Sequence, residues 1–360
     1  MQTREQVEQA LRKRKLHYDC LDSENVGWLI VVPELGAKIV AAGVDRENLF
    51  WTNGELDRSA WCAGGQRTWL APELGRTGFF AATAEDWRVP PELDPGRYRR
   101  VESPNGQLSY RCDLAIKRLD GRLFHLGIVR SIGAETIREH DCAPGLRIRI
   151  ENRLINRMES VLEEEVGLWS ILQAPALSAG TVLIPVRPLA KIQDRQPPGH
   201  RQHPDPENRY RLYFGAVPQQ WVRETSSMIY LKSLAGIWFK IGIPPEATDG
   251  RIALIRPSHA GKQRTLTILR CPVDRSATYL DRPPMKAYAN GDVLQFYNSP
   301  DADKLNFCEL ESHAPAARLA PGAEQEAHVE ILLFKDDSTR IFTIARNLVG
   351  SRFDPSCLFQ

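Results

Sequence analysis

Residues 146–151 read Leu-Arg-Ile-Arg-Ile-Glu, and this alternation of apolar and charged side chains decides the fold class. In an extended chain, successive side chains point to opposite faces, so the three apolar residues share one face and the charged residues share the other. Strict alternation of this kind predicts a half-buried antiparallel strand.

Short apolar runs typical of strands recur along the chain. They stand at Trp28–Val32, Phe124–Ile132, Val182–Val186, Leu212–Ala216, Ile252–Ile255, Thr265–Leu269, Leu294–Tyr297, Val329–Phe334 and Arg340–Ala345. Residues that favour turns separate them, since the 360-residue chain has 25 glycines and 25 prolines. About ten or more strands with almost no helix between them predict an all-β protein, a large sandwich formed by residues 1–360 as a single domain.

The N-terminus carries the clearest helix signal. Thr3 and Gln6 fit a capping box, and Val7 and Leu11 lie four residues apart on one helical face. We therefore predict a short helix within residues 1–16.

Two proline-rich, polar stretches interrupt the strand pattern, at residues 85–106 and 194–209. Strand-like pattern continues in the same style on both sides of each stretch. We therefore predict long loops at the rim of the sandwich rather than domain linkers, and long ordered loops are often functional.

Composition and charge exclude several classes of protein. The chain has 47 Lys and Arg against 45 Asp and Glu, a net charge of +2, so nothing in its charge favours nucleic acid or an acidic membrane surface as a partner. A hydrophobic fraction of 42% is too high for a disordered chain. No apolar run reaches the roughly 18 residues that span a bilayer. No pattern in the sequence specifies an oligomeric state.

The N-terminus and the cysteines favour a cytoplasmic location. Residues 1–15 are polar and charged and lack the apolar segment of a secretion signal. The seven cysteines are scattered, without a Cys-x-x-Cys pair, which is typical of a reduced chain with free thiols.

Neither a metal ion nor an organic cofactor is expected. His200 and His203 form a His-x-x-His pair in a polar loop, but spacing fixes no third ligand. The glycine-rich nucleotide loops, the Gly-x-Ser-x-Gly elbow and the His-Glu-x-x-His motif are all missing from the sequence.

The first candidate for chemistry is residues 64–73, Gly-Gly-Gln-Arg-Thr-Trp-Leu-Ala-Pro-Glu. In an extended chain Arg67 and Trp69 share one face. An indole ring stacks on the C–H face of a sugar, and a guanidinium donates hydrogen bonds to hydroxyls in a fixed geometry. The alternative is a Gly-Gly turn that enters a strand whose Trp belongs to the core.

The second candidate is residues 306–315, Asn-Phe-Cys-Glu-Leu-Glu-Ser-His-Ala-Pro. As a strand, it places Glu309, Glu311 and His313 on one face together with Phe307. Two carboxylates and an imidazole supply a proton acceptor and a proton donor, and close carboxylates raise one another's pKa. The alternative is the solvated face of an antiparallel strand.

Two weaker candidates come from single residues. Trp169 joins Trp69 and Trp87 as a possible stacking platform for a sugar ring. Lys240 borders an apolar, aromatic run and could reach into a cleft, although a solvated lysine is the commoner situation.

The C-terminal candidate resembles a known family. Residues 307–313, followed by Arg-Leu-Ala-Pro-Gly-Ala-Glu at 318–324, resemble the Leu-Glu-Thr-Gln…Leu-x-Pro-Gly-Glu ending of galactose mutarotase-like proteins. Residues 64–73 resemble a sugar-facing strand of uncharacterised members of that superfamily. The resemblance implies a galactose-mutarotase-like β-supersandwich.

The resemblance also implies roles for individual residues. In aldose 1-epimerases a Glu of the Leu-Glu strand takes the proton of the anomeric hydroxyl, a His protonates the ring oxygen, and an Arg binds sugar oxygens. Carried over, Glu311 is the base and Arg67 the oxygen-binding cation. The acid His of the family lies in a mid-chain segment that here reads Gly-Leu-Trp-Ser-Ile-Leu-Gln at 167–173, without a His. Either His313 or another residue replaces the acid, or the site binds a sugar without epimerising it.

Together the patterns and the resemblance predict a carbohydrate-binding protein of the mutarotase-like type. Interconversion of aldose anomers by acid/base ring opening is the activity that the resemblance implies for it. The predicted catalytic residues are Glu311 and His313, and the predicted sugar-binding residues are Arg67, Trp69, Glu309, Trp169 and Lys240. One alternative is a noncatalytic sugar-binding protein. Another is a hydrolase or lyase-like enzyme with paired carboxylates, which needs a partner such as Glu73 across the scissile bond.

Overall fold

The structure is a computed structural model that describes residues 2–54, 56, 60–81, 86–103, 106–139, 144–163, 165–176, 180–187, 209–259, 261–283, 288, 290–300 and 305–359. The predicted loop at 194–209, with its two histidines, lies outside these residues apart from Arg209.

Strands dominate the described residues. In chain order they are β1 (Asp19–Ser23), β2 (Gly27–Val32), β3 (Lys38–Val44), β4 (Glu47–Asn48), β5 (Gln66–Ala71), β6 (Arg99–Val101), β7 (Leu108–Lys117), β8 (Leu123–Ile137), β9 (Gly145–Asn156), β10 (Leu162–Glu163), β11 (Gly167–Pro175), β12 (Gly180–Pro185), β13 (Arg211–Gly215), β14 (Val222–Glu224), β15 (Met228–Ser233), β16 (Phe239–Ile243), β17 (Arg251–Pro257), β18 (Gln263–Arg270), β19 (Leu294–Asn298), β20 (Phe307–His313), β21 (Arg318–Leu319) and β22 (Glu324–Asp337). Two α-helices, α1 (Arg4–Lys13) and α2 (Ser338–Leu348), and four 3-10 turns at Pro33–Leu35, Ala60–Ala63, Gln219–Trp221 and Pro355–Cys357 complete the described elements.

The strands form two ten-stranded sheets and one small pair, β10 with β21. The first sheet has the order β1-β2-β3-β5-β11-β20-β19-β16-β13, with β4 beside β3. The second has the order β14-β15-β12-β17-β18-β22-β9-β8-β7-β6. The pairings between these described strands are antiparallel, as the sequence predicts.

The two sheets face each other across a shared apolar core. One buried cluster contains Leu172 and Leu310 of the first sheet together with Ile148 and Leu254 of the second. In β9 the predicted alternation is confirmed, because the apolar residues at 146, 148 and 150 are buried while Arg149 points to solvent. The hydrophobic effect therefore fixes which face of each strand turns inward.

Helix α1 confirms the predicted N-terminal helix. The Thr3 hydroxyl accepts a hydrogen bond from the Gln6 backbone N–H, and the Gln6 side chain accepts one from the Thr3 backbone N–H. Val7 and Leu11 are completely buried, so the apolar stripe of the helix holds it against the sandwich.

The prediction of a strand at Arg340–Ala345 is wrong, because these residues lie in helix α2. Ile341, Ile344 and Ala345 are buried at helical spacing, and the Asp337 side chain caps the helix by accepting from the Arg340 N–H. A short apolar run fits both the two-residue period of a strand and the 3.6-residue period of a helix. Here packing against β18 and β22 favours the helix.

The first predicted rim loop, 85–106, is only partly irregular, since its residues Arg99–Val101 form strand β6 against β7. Among the described residues, no helix is long and apolar enough to cross a membrane.

Candidate functional site

Five neighbouring strands of the first sheet build the site on the face that points away from the second sheet. Arg67 of β5 lies opposite Ile171 of β11, which lies opposite Glu311 of β20. Glu309 of β20 lies opposite Tyr297 of β19, which pairs with Lys240 of β16. The structure thus brings the two candidate segments, early and late in the chain, onto one face of the sheet.

A pocket of about 230 Å³ opens beside these side chains. Its lining combines charged and aromatic residues, namely Arg67, Trp69, Glu73, Leu74, Trp87, Trp169, Phe214, Trp238, Lys240, Tyr297, Leu305, Phe307 and Glu309. All five predicted sugar-binding residues are among them. The volume lies just below the roughly 300–1,000 Å³ of pockets for drug-sized ligands, which suits a single small ring.

Arg67 and Glu309 join the two candidate segments directly. The Arg67 Nη2 lies 2.8 Å from the Glu309 Oε1, which also accepts a hydrogen bond of 2.8 Å from the Gln173 amide. The Arg67 guanidinium lies over the Trp69 ring, 4.2 Å from its centroid. These contacts hold a planar donor and a carboxylate in fixed positions at the pocket wall.

Lys240 joins two further carboxylates. Its Nζ lies 2.8 Å from the Glu73 Oε2 and 3.2 Å from the Glu311 Oε2, and 4.5 Å from the centroid of the Trp169 ring. The side chain of Lys240 is 3% exposed, and the carboxylates keep it charged by raising its pKa. A buried ammonium between two carboxylates is a strongly coupled group in which each charge depends on the others.

Burial raises the pKa of both carboxyls in this cluster. For Glu311 the main cause is desolvation, and the charges of Glu309 and Glu73 raise its pKa further while Lys240 lowers it. For Glu73 desolvation again dominates, with Lys240 opposing it and Asp281 adding to it. The pKa of Glu73 is therefore raised above its ordinary value, and that of Glu311 is raised to about 8, near the neutral range in which an acid/base group works best.

Glu311 lies directly behind the pocket wall. Its Oε2 accepts a 2.8 Å hydrogen bond from the Trp169 Nε1, while its Oε1 is buried and has no hydrogen-bond partner among the described residues. The side chain is completely buried, with Trp169 and Lys240 between it and the ligand space. One carboxylate oxygen thus remains available to accept a proton.

His313 is placed differently from the other candidates. Its ring stacks on Trp169 at 5.4 Å and is not among the described residues that line this pocket. Burial and the charge of Lys240 lower its pKa well below the ordinary value, so the ring is neutral at pH 7. Because His313 lies opposite Trp169 in the pairing of β20 with β11, its ring packs beside Trp169 on the same face of the sheet.

Asp94 holds Trp69, one of the indole rings that line the pocket. Its Oδ2 accepts a 2.8 Å hydrogen bond from the Trp69 Nε1, and its Oδ1 lies 2.9 Å from the Lys38 Nζ. Asp94 belongs to the segment that also carries Trp87, whose Nε1 donates to Glu73 at 3.0 Å. Through Asp94, the buried Lys38 thus helps to position the Trp69 ring.

We expect Lys38→Met to lower the free energy of unfolding by about 3–5 kcal/mol, because it leaves the buried Asp94 carboxylate without its cation. Denaturant titration measures the loss. The exposed pair of Arg111 with Asp113 is the control, since Arg111→Met removes an equally short contact, 2.9 Å, that contributes less than about 1 kcal/mol in solvent. Equal effects of the two substitutions would contradict the role given to Lys38.

Several residues of the site escaped prediction from the sequence. Asp281 accepts hydrogen bonds from the Glu73 backbone N–H and the Gln295 amide, and Gln295 also donates to the Tyr213 hydroxyl. Tyr213 in turn donates to Asp292 at 2.8 Å. These buried groups sit below the charged cluster, and no motif marks them, because they come from separate loops and strands.

Asp292 gives this network a pH-dependent stability. Burial is the main cause that raises its pKa to about 7, against the opposing effects of Arg211 and the Tyr213 hydrogen bond. Since the pKa is near 4 in the unfolded chain, folding takes up a proton between these values. The contribution of Asp292 to stability is therefore complete at acidic pH and is lost as the pH rises toward 7.

We expect Asp292→Asn to flatten the fall in stability between pH 4 and pH 7 by up to about 1.4 kcal/mol per pH unit. The free energy of unfolding of both proteins, measured at several pH values, gives the two slopes. Parallel slopes would show that Asp292 does not titrate in this range.

Other kinds of site find no support in the described residues. No group of three or more His, Cys, Asp or Glu side chains is arranged there to hold a metal ion. The described cysteines, Cys20, Cys62, Cys112, Cys271, Cys308 and Cys357, form no disulfide bonds.

Solved structures resemble this fold. A provisionally assigned aldose 1-epimerase from Escherichia coli K12 superimposes with a TM-score of 0.51 at 13% identity, over 89% of this chain and 99% of that chain. A galactose mutarotase-like protein from Lactobacillus casei gives a TM-score of 0.50 at 12% identity, over 88% and 100% of the two chains. The predicted galactose-mutarotase-like β-supersandwich is thereby confirmed. At these identities the likeness concerns the fold alone.

Sequence comparison assigns the chain to a family. None of the curated proteins compared with it matches. One family model, described as a family of unknown function (DUF6786), matches residues 5–355. The match covers nearly the whole length, so the chain belongs to this family.

Proposed function

We propose that the pocket binds a sugar and interconverts the anomers of an aldose by opening and closing its ring. The observation that carries the proposal is the Arg67–Glu309 contact of 2.8 Å beside an open pocket lined with indole rings. A guanidinium and a carboxylate bind neighbouring hydroxyls, and the edges of the buried Trp69 and Trp169 rings add apolar surface at the pocket wall for the C–H side of a pyranose.

Glu311 is the proposed base. Lys240 lies nearer to Glu73, at 2.8 Å, than to Glu311, at 3.2 Å. When the anomeric hydroxyl enters, Lys240 keeps its shorter contact with Glu73 and yields the longer one, which opens the Glu311 carboxylate to the sugar. The carboxylate then takes the proton from the hydroxyl oxygen on C1.

Lys240 is the proposed acid, in place of the histidine predicted from the sequence. It lines the pocket, whereas His313 is outside the described lining of this pocket and is neutral. As the bond between C1 and the ring oxygen breaks, the ring oxygen becomes an alkoxide and takes a proton from the ammonium. The open chain rotates about the C1–C2 bond, and closure on the other face of the aldehyde returns both protons and gives the other anomer.

Anomer exchange measured by proton NMR tests this proposal. D-glucose, D-galactose, D-mannose and D-xylose have separate α and β anomeric signals, and magnetisation transfer between them reports the exchange rate at equilibrium. We expect the protein to accelerate exchange of at least one of these sugars above the buffer rate. If a sugar binds and its anomer exchange is not accelerated, the proposed catalytic step is wrong, while the proposed sugar-binding site still holds.

A noncatalytic sugar-binding protein is the second candidate. Its support is that each charged side chain lining the pocket already has an ion-pair partner, as Arg67 has Glu309 and Lys240 has Glu73. Such pairs orient hydroxyls without exchanging protons. The same NMR experiment separates the two candidates, since a binder broadens sugar signals without transferring magnetisation between anomers.

A further inference from the structure

The pocket changes character along its length. At one end Arg67, Lys240 and Glu309 are almost completely buried. At the other end Trp238 is 41% exposed, although it lines the same pocket. The charged groups thus lie at the inner end, and aromatic side chains surround the mouth.

Trp238 and Phe214 form an ordered pair at this mouth. Their rings stack with centroids 4.5 Å apart and an interplanar angle of 25°. The strand register explains the pairing, since Phe214 of β13 lies opposite Lys240 of β16 and Trp238 precedes Lys240 by two residues. All three side chains therefore share one face.

The backbone fixes the position of the pair. Gly215 has a φ of +70°, and a Cβ atom there would lie 1.9 Å from the Trp238 carbonyl oxygen. Only glycine allows this close approach of β13 to the residue before β16. A rigid, solvent-exposed indole loses little conformational entropy when a ligand covers it.

We propose that Trp238 and Phe214 form a second sugar subsite, so that the pocket takes the reducing end of an oligosaccharide rather than a free monosaccharide. The inference rests on the proposed sugar site. The whole pocket, at about 230 Å³, has room for a single ring, so a second, linked ring has to lie outside it, against the exposed indole at its mouth. Stacking on an aromatic face does not depend on a fixed pattern of hydroxyls. The second ring therefore adds affinity, with little selectivity for which sugar occupies that position.

Isothermal titration calorimetry with matched sugars tests the subsite. The monosaccharides are D-glucose and D-mannose, and the disaccharides with the same reducing ends are maltose, cellobiose, lactose and mannobiose. We expect one disaccharide to bind about three- to ten-fold more tightly than its reducing-end monosaccharide, the gain typical of one aromatic stacking contact. Trp238→Ala should bring this ratio close to one, whereas Trp238→Phe should preserve most of it.

Leu212→Ala is the matched control. Leu212 lies on strand β13, as Phe214 does, and is 45% exposed, but it does not line the pocket. Its truncation should therefore leave the ratio of disaccharide to monosaccharide affinity as in the wild type. A wild-type ratio near one, or a ratio that Trp238→Ala does not change, overturns the subsite while the sugar site stands. If the wild type binds none of these sugars, the proposed sugar site fails and the subsite fails with it.

Discussion

Glu311→Gln is expected to slow protein-catalysed anomer exchange by about 10²- to 10⁴-fold, the usual loss when a positioned base is removed. The glutamine keeps the shape of the side chain and an oxygen that can accept the 2.8 Å hydrogen bond from Trp169. It cannot take the proton of the anomeric hydroxyl at any pH. Magnetisation transfer between the anomeric signals measures the rate, and calorimetry measures the affinity for the same sugar.

Glu309→Gln separates the base from its neighbour two residues away. Glu309 holds Arg67 at the pocket wall, so we expect this variant to weaken sugar binding more than it slows exchange at saturation. Glu311→Gln should show the reverse, a loss of exchange at saturation with a small change in affinity. If Glu309→Gln abolishes exchange and Glu311→Gln does not, Glu309 is the base.

The pH dependence of exchange follows from the same carboxyl. Burial raises the pKa of Glu311 well above its ordinary value, and the base must be ionised to act. Exchange in the wild type should therefore increase with pH through the neutral range instead of reaching its plateau near pH 5.

Lys240→Met is expected to lower the free energy of unfolding by about 3–5 kcal/mol at pH 8, because it leaves two buried carboxylates without their shared cation. The loss should be smaller at pH 5. Glu73 and Glu311 already have raised pKa values, and without the ammonium both take up protons more readily in the folded protein. Denaturant titrations at the two pH values measure the difference.

Two further variants complete the test of Lys240. Lys232 borders the same apolar run on strand β15 and does not line the pocket, so Lys232→Met should cost less than about 1 kcal/mol. Adding Glu73→Gln to Lys240→Met removes one of the two buried carboxylates that have lost their cation. The double variant should therefore regain part of the stability at pH 8. If Lys240→Met alone is as stable as the wild type at both pH values, the charges of Lys240, Glu73 and Glu311 are not coupled.

Sequence patterns determined the fold class because sheet faces follow a period of two. The alternation in β9 and β20 predicts which side chains share a face, and the sheet register confirms it for Arg67 with Trp69 and for Glu309 with Glu311. Helix α2 escaped prediction because its short apolar run fits a strand equally well, and only the packing against the second sheet distinguishes them.

The depth of the site could not be predicted in the same way. Periodicity predicts which face a side chain is on but not whether it borders the pocket. His313 shares a face with Glu309, yet only Glu309 is among the described residues that line the pocket. Asp281 comes from a segment with no strand pattern, and only the three-dimensional fold brings it to Glu73. Residues that are brought together only by long-range contacts of this kind have no characteristic spacing in the sequence by which they could be recognised.

Crystals of the protein soaked in a mixture of D-glucose, D-galactose and D-mannose would show whether a sugar binds in this pocket. We expect density for a sugar ring in contact with Trp69 or Trp169, with ring hydroxyls within hydrogen-bonding distance of Arg67 and Glu309. Sugar density only at another surface, with this pocket occupied by water alone, would contradict this expectation.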